Sequence, residues 1–515
     1  MTVKPIWLLT AAIPAALLLT GASLPGTPTL GRDRLQTFQR ENVLGTSFEL
    51  KVLASSAESA ARAEAAALRE IARQTAILSS WSADSEFSRW FRTRDRAVAV
   101  SPELLEVLGT FDTWRERTGG ALDAAAEAVT RAWKSAEKQG RTPTREELDR
   151  AVAAVRQQHW RLDPAAHTAT HLSDTPLALN SFVKSYIMDR AAKAALGTAG
   201  VSAVVLNIGG DLVIRGAWTE PVNIADPRSD AENSAPIARL QVKDRAVATS
   251  GGYRRGFDIA GRHYSHIVDP RTGESTGHVL SATVIAARPS DAGAMATAFC
   301  VLTPEESARV AASVPGAEYL LITADGGRVE SHGWRAYETA SPALFAAAKP
   351  APAPGPSPAP QNADAGMELD ITFEIAHTNG FAKRPYVAVW IEDKDKFPVR
   401  TLALWYQKPR WLPDLRSWYR DDRMRAMAEG HDITASVASA TRPPGKYTLK
   451  WDGKDAAGKP VKPGKYTVNI EAAREHGTYQ MMRQEVEIDG KPQQFQLQGN
   501  QEISGASIDY HKAAH

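Results

Sequence analysis

Thr249-Ser250-Gly251-Gly252-Tyr253-Arg254, continued through Tyr264-Ser265-His266-Ile267-Val268-Asp269-Pro270-Arg271-Thr272-Gly273, packs hydroxyls, glycines, a histidine, a carboxylate and arginines closely together, and apolar, strand-like runs bound it on both sides. Paired glycines let the backbone approach a ligand closely, while hydroxyls and arginines place donors beside it. A ligand rich in acceptor oxygens, such as a phosphate or pyrophosphate, suits that lining. A polar hairpin connection is the plainer alternative for so short a motif.

Working outward, residues 201–208 form a β-branched run that reads as a buried strand, closed by Gly209-Gly210-Asp211. A glycine pair and a carboxylate after a buried strand suit a ligand meeting backbone, and equally suit an ordinary turn. Further strands are expected at 222–224, 238–242 and 281–286, and a helix from Ser290 to Leu302. On the N-terminal side, 42–52 alternates like a strand, 57–78 has helical spacing, and Ser101-Pro102 starts a helix with serine as cap and proline in the first turn. Gly119-Gly120-Ala121-Leu122-Asp123 interrupts the helical pattern, and Asp123 reads as the cap of the helix that follows. Another helix is expected over 144–157, then strands at 160–162 and 171–173, and a helix that opens at Leu177 and runs to Leu196. Strands and helices are therefore interleaved through a first domain over 33–345, of the α+β class with mixed or antiparallel sheets.

The chain has 515 residues, too many for one core, so more than one domain is expected. Its 61 basic and 59 acidic residues nearly balance, which removes any global electrostatic case for nucleic acid. One cysteine, Cys300, lies in an apolar run, so neither an intrachain disulfide nor a cysteine metal site is available and a buried thiol is expected. Residues 1–22 carry Lys4, an apolar run and Thr20-Gly21-Ala22, the parts of a secretory signal. Ala22 stands where a lipidated cysteine would be. The expectation is export to the periplasm or cell envelope without a lipid anchor, an uncleaved N-terminal anchor being the alternative. Residues 346–366 are a proline- and alanine-rich, extended linker. Beyond it, 367–495 reads as an all-β, Ig-like sandwich and 496–515 as a tail.

These segments together resemble the FAD:protein FMN transferase (ApbE) family. The resemblance is carried, in family order, by Leu44-Gly45-Thr46, Ser85-Glu86, Gly120-Ala121-Leu122-Asp123, Lys184 with Tyr186 and Asp189, Gly209-Gly210-Asp211, Thr249-Ser250-Gly251 with Tyr253, Tyr264 through Gly273, and Ala294-Met295-Ala296-Thr297-Ala298. It implies FAD as the substrate, a Mg²⁺-dependent site, and transfer of FMN to a Ser or Thr hydroxyl of an exported or membrane-bound flavoprotein acceptor. By resemblance, His266 is the catalytic group beside the pyrophosphate. The same resemblance assigns FAD contacts to Leu44, Asp123, Lys184, Gly209, Gly210, Asp211, Thr249, Ser250 and Arg254, and metal contacts to Ser181 and Thr297. Asp269 and Arg271 have a simpler use as an ion pair that locks the loop.

The chain departs from the family pattern at two places. Around Lys184 the family's Leu-Gly-Gly-Ile-Ala-Lys-Gly-Tyr is here Leu179-Asn180-Ser181-Phe182-Val183-Lys184-Ser185-Tyr186. In the family's Ala-Asp-Ala-Leu-Ala-Thr, the metal carboxylate falls on Gly293. A carboxylate four residues before Thr297 would share its helix face, whereas Asp291, six residues before, lies about 120° away. Two readings follow: an active transferase with the metal held by Ser181, Thr297 and a rerouted Asp291, or a flavin-binding scaffold that has lost transfer. Ser439-Ala440-Thr441 loosely resembles a flavinylated acceptor motif, so Thr441 is a candidate FMN attachment point and the sandwich a candidate interaction module. An ordinary polar loop is the alternative there.

Overall fold

The computed structural model describes residues 33–229, 231, 233–253, 255–339, 367–377, 384–406, 409–421, 438–439, 441–474 and 478–512. The signal over 1–22, the linker over 346–366 and Arg254 lie outside the described residues.

The first domain is built on one eight-stranded sheet whose strands follow chain order: Arg34–Val43, Thr46–Ala54, Val201–Ile208, Asp211–Gly216, Ala246–Gly251, Val279–Ala286, Glu318–Thr323 and Arg328–Glu330. Every neighbouring pair is antiparallel. Helices enter as insertions between strands, and Ala57–Leu78, Val183–Leu196 and Pro289–Phe299 share one hydrophobic core with the sheet. Alanines make this close packing possible. Ala60, Ala63 and Ala67 on the first of these helices, and Ala191, Ala192 and Ala195 on the second, are all fully buried, and small side chains let helix backbones approach each other. On the opposite face a smaller core forms around Trp334, Val222 and Leu240, covered by the hairpin Thr219–Ile224 with Ala238–Lys243.

Local signals behave as their chemistry dictates. Ser101 caps Pro102–Arg117 by accepting from Leu104 N, with Pro102 in the first turn. Asp123 caps the short 3₁₀ turn Ala124–Ala126. Two expected elements are displaced. The strand placed at 171–173 is Thr168–His171, and the helix expected from Leu177 begins at Val183, leaving 177–182 as a non-helical approach to it.

The C-terminal region is all-β. Sheets of four and five strands face each other across a common core that includes Ile371, Phe373, Val389, Trp405, Trp451, Ile470 and Ile508. The tail expected over 496–515 is corrected here: Ile503–Lys512 is an interior strand of the four-stranded sheet, paired on one side with Met367–Ile375 and on the other with Gln493–Gln498. Its alternation (Ile503, Ala506, Ile508 and Tyr510 buried) is masked in the sequence by glycine, serines and a lone aspartate. The two regions touch where Asn233 grips the edge strand Gly445–Trp451, its amide donating to Lys450 O and accepting from Lys450 N, both at 2.7 Å.

Candidate functional site

One end of the eight-stranded sheet gathers most of the residues singled out above. Turn Leu44-Gly45 joins the first two strands, both residues with positive φ (51° and 77°), and Gly209-Gly210 joins the third and fourth (58° and 92°). Antiparallel register, Phe48 opposite Ile208, brings the two turns side by side. Glycine is required at 209: a Cβ there would stand 2.8 Å from Thr46 Cγ2, at a φ that L-residues avoid. Gly209→Ala is therefore expected to cost about 1–2 kcal/mol from the left-handed backbone alone, read as a lower denaturation midpoint of the first domain; an unchanged midpoint would mean that the turn does not hold this conformation.

Beside these turns, Asp211 is buried and takes two partners, Lys184 Nζ at 2.8 Å and Thr249 N at 3.2 Å. The carboxylate thus ties the first turn of helix Val183–Leu196 to the last residues of strand Ala246–Gly251. Thr249 is exposed, and its hydroxyl lies 3.0 Å from that of Thr283. That helix opens at Phe182 without any side-chain cap. Its first N–H groups and the positive end of its dipole therefore face the same neighbourhood as Lys184, an arrangement that favours anions.

A second group of oxygens lies next to it. Thr297 Oγ1 donates to the Ser181 carbonyl at 3.1 Å, and Ser250 Oγ is 3.4 Å from Thr297 Oγ1. Cys300, one helical turn on, is fully buried against Ser250 O at 3.4 Å, and burial pushes its thiol up to about 12. Asp291 does not join them. Its carboxylate faces Arg288 at 3.9 Å, and burial raises its pKa. The helix carries it to another face, as its spacing from Thr297 requires.

His266 follows the hairpin Gly256–Ile259 with Arg262–Ser265. Its Nδ1 is 2.9 Å from the Arg255 carbonyl. A carbonyl only accepts, so Nδ1 carries the proton and Nε2 keeps its lone pair. The ring reaches solvent on one side and is crowded by protein on the other; loss of hydration lowers its pKa, and the charges of Arg255 and His263 lower it further. His263 is pulled the other way by Asp258 at 2.9 Å, while its Nε2 holds the Gly252 carbonyl at 3.0 Å. Asp269 and Arg271 form the expected ion pair at 2.8 Å. Arg271 also packs against Gly120, joining this loop to the turn that carries Asp123.

Asp123 is buried, accepts from Ala125 N at 2.8 Å and pairs with Arg115 at 2.9 Å, yet burial keeps its pKa raised. With Asp112, Arg115, His159 and Trp160 it lines a cavity of about 420 Å³. Thr441 is only 1% exposed, and the nearby Ala438–Ser439 pairs in parallel with strand Pro398–Trp405. A solvent-facing acceptor loop is therefore not what surrounds this hydroxyl. Trp81 opens the aromatic, serine-bearing segment 81–91, which reads in the sequence as a turn. It is 81% exposed, on a turn held by Ser79 Oγ accepting from Trp81 N and Ser82 N, and its neighbour Ser80 meets Asn180 at 3.5 Å, next to Ser181. An aromatic flanked by three serines between two helices was the available signal.

A family profile described as "ApbE family" matches residues 44–321, and one described as "Predicted periplasmic protein (DUF2271)" matches 368–505. An FAD:protein FMN transferase of Klebsiella pneumoniae is 27% identical over 329 residues, 61% of this chain and 91% of its own length. That of Treponema pallidum is 30% identical over 322 residues, 57% of this chain and 87% of its own. The crystal structure of the ApbE protein of Thermotoga maritima superposes with a TM-score of 0.53 at 26% identity, covering 60% of this chain and all of that one. With the matched profile spanning more than half of its length and the fold shared with a solved relative, the chain belongs to the ApbE family.

Proposed function

We propose that this chain is an exported flavin transferase that holds FAD across the sheet end and moves FMN to a Ser or Thr hydroxyl of an acceptor flavoprotein. The observation that carries this reading is the meeting of Lys184, Asp211 and Thr249 at an uncapped helix N-terminus, a built receptor for a pyrophosphate. Lys184 and the first-turn N–H groups take the phosphoryl oxygens. The Gly209-Gly210 turn and Leu44 bring backbone and an apolar side chain close to the rest of the nucleotide, and the exposed ring of Trp81 offers a stacking face. Asp123, which caps the turn Ala124–Ala126 and pairs with Arg115, is held for a donor on the ligand. In the transfer, the acceptor hydroxyl oxygen bonds to the FMN phosphorus, the bond from that phosphorus to the bridging oxygen breaks, and AMP leaves with that oxygen. The hydroxyl proton passes to Nε2 of His266. The periplasmic description of the DUF2271 profile supports export. Among the described residues no helix is long and apolar enough to cross a membrane.

A divalent cation, when bound in such a site, neutralises charge on the transferring phosphoryl group. The oxygens here fit it poorly. Ser181 O, Thr297 Oγ1 and Ser250 Oγ are all neutral, Asp291 is turned toward Arg288, and Asp211 is engaged by Lys184. Magnesium sites draw on one or two carboxylates. This favours a second reading, flavin binding without transfer. Purified chain incubated with FAD, Mg²⁺ and a Ser/Thr acceptor peptide separates the two. Quenching of flavin fluorescence with a covalent mass gain on the peptide supports transfer, binding without the mass gain supports the second reading, and no binding removes both.

A further inference from the structure

We infer that Ser185 and Gly293 are a matched pair that closes the helix position one turn before Thr297, from which a carboxylate could complete the oxygen cluster at Ser181 and Thr297, so that this chain engages its ligand without a divalent cation. The inference rests on the flavin-site reading only for its consequence; the packing stands by itself.

Gly293 is buried in helix Pro289–Phe299, one turn before Thr297. Thr297 bonds the Ser181 carbonyl, so this helix face looks at residues 181–185. A Cβ at 293 would lie 3.4 Å from Phe182 Cα, 3.1 Å from Ser185 Cβ and 2.5 Å from Ser185 Oγ. The first distance is ordinary contact, the second asks Ser185 to give by a few tenths of an ångström, and the last requires its hydroxyl to turn away. Ser185 cannot yield much, because it is 4% exposed in the first turn of helix Val183–Leu196 and rotation of its hydroxyl leaves its Cβ in place. The Ser185 side chain thus fills the volume that any side chain at 293 would enter. The two positions have exchanged bulk across the helix contact: a side chain on one helix requires none on the other.

Closure removes the charge as well as the space. What remains at the cluster is a carbonyl and two hydroxyls, which bind alkaline-earth cations weakly without a carboxylate. Lys184 and the uncapped helix end are then the sources of positive charge for a phosphate ligand.

Four full-length proteins test this: wild type, Gly293→Asp, Ser185→Gly and the double variant, each titrated with Mn²⁺ in the absence of FAD and followed by electron paramagnetic resonance. Glu368, Asp370 and His511 form a second acidic group, bridged by Lys450, and contribute the same background to all four. The double variant is expected to gain a Mn²⁺ site at least about tenfold tighter than any in wild type, and Gly293→Asp alone is expected to gain none. Gly293→Ala supplies the packing half independently. It should lower the thermal midpoint by about 3 °C or more in the Ser185 background and by less in the Ser185→Gly background. FAD affinity of wild type should be the same in Mg²⁺ and in EDTA. Wild type binding Mn²⁺ as tightly as the double variant overturns the inference. So does Gly293→Asp binding it unaided, a folded double variant that binds none, or equal midpoint losses from Gly293→Ala in both backgrounds. Because Mn²⁺ is titrated without flavin, a chain that fails to bind FAD would defeat the functional reading and leave this result readable.

Discussion

Replacing His266 with asparagine is expected to slow FMN transfer by about 100- to 10,000-fold, the range for loss of a positioned general base, with FAD affinity little changed. The geometry gives the reason. Nδ1 is committed to the Arg255 carbonyl, so only Nε2 can receive a proton. Asparagine can keep the bond to Arg255 O through its amide and offers no basic nitrogen. Acidity follows with a defined sign. Loss of hydration, then the charges of Arg255 and His263, place the pKa of His266 below its ordinary 6.5. The neutral base is therefore present above that lowered value and is lost as pH falls through it, so the acid limb of the transfer rate should lie below pH 6.5 and vanish in His266→Asn. A limb above 6.5, or an asparagine variant with undiminished transfer, would remove His266 from the chemistry. His263 is expected to stay protonated to higher pH, since its hydrogen bond to Asp258 raises its pKa. That retained charge is part of what keeps its neighbour neutral.

Much of this arrangement is legible in the residues before any coordinates. Gly209-Gly210 after a β-branched run marks a strand end where backbone is exposed, and the left-handed φ of both glycines is why those residues stand there. Serine followed by proline at 101–102 marks a helix start for a purely local reason, and the cap forms. Local chemistry of this kind survives folding because few distant contacts compete with it. What could not be read is what depends on which elements meet. Nothing along the chain says that Asp211 will bond both Lys184 and the Thr249 amide, because helix and strand come together only when the sheet forms. The start of the helix at Val183 rather than Leu177 has the same origin. Residues 177–182 have helical composition, yet Leu179 and Phe182 are drawn into the core from an irregular segment, where tertiary burial overrides propensity. Gly293 shows the limit most directly: nothing along the chain says that it will face Ser185, whose Oγ lies 2.5 Å from where a Cβ at 293 would stand.

A stop codon after Gly499 is expected to unfold the C-terminal sandwich while sparing the first domain. Removal of Ile503–Lys512 takes an interior strand from a four-stranded sheet. Gln493–Gln498 loses its one strand partner among the described residues, and one edge of Met367–Ile375 is laid bare. Ile503, Ile508 and Tyr510 are at most 4% exposed. Losing side chains of this size from a packed core costs about 2–5 kcal/mol each, together on the order of 10 kcal/mol, as large as the whole stability of an ordinary domain. The cut also strips Glu502 from Arg474 and so removes a largely buried ion pair at 2.6 Å. Limited proteolysis should then digest the region beyond the linker, and the unfolding transition reported by Trp390 and Trp451 should disappear. The first domain, whose core shares no strand with the sandwich, should keep its transition and its flavin binding. A truncated chain with a protease-resistant sandwich would show that these residues are the tail their composition suggests. If the first domain instead unfolds with the sandwich, the contacts between the two regions, Asn233 with strand Gly445–Trp451 and Arg384 with Glu41 and Asn42, couple them strongly enough to act as one unit.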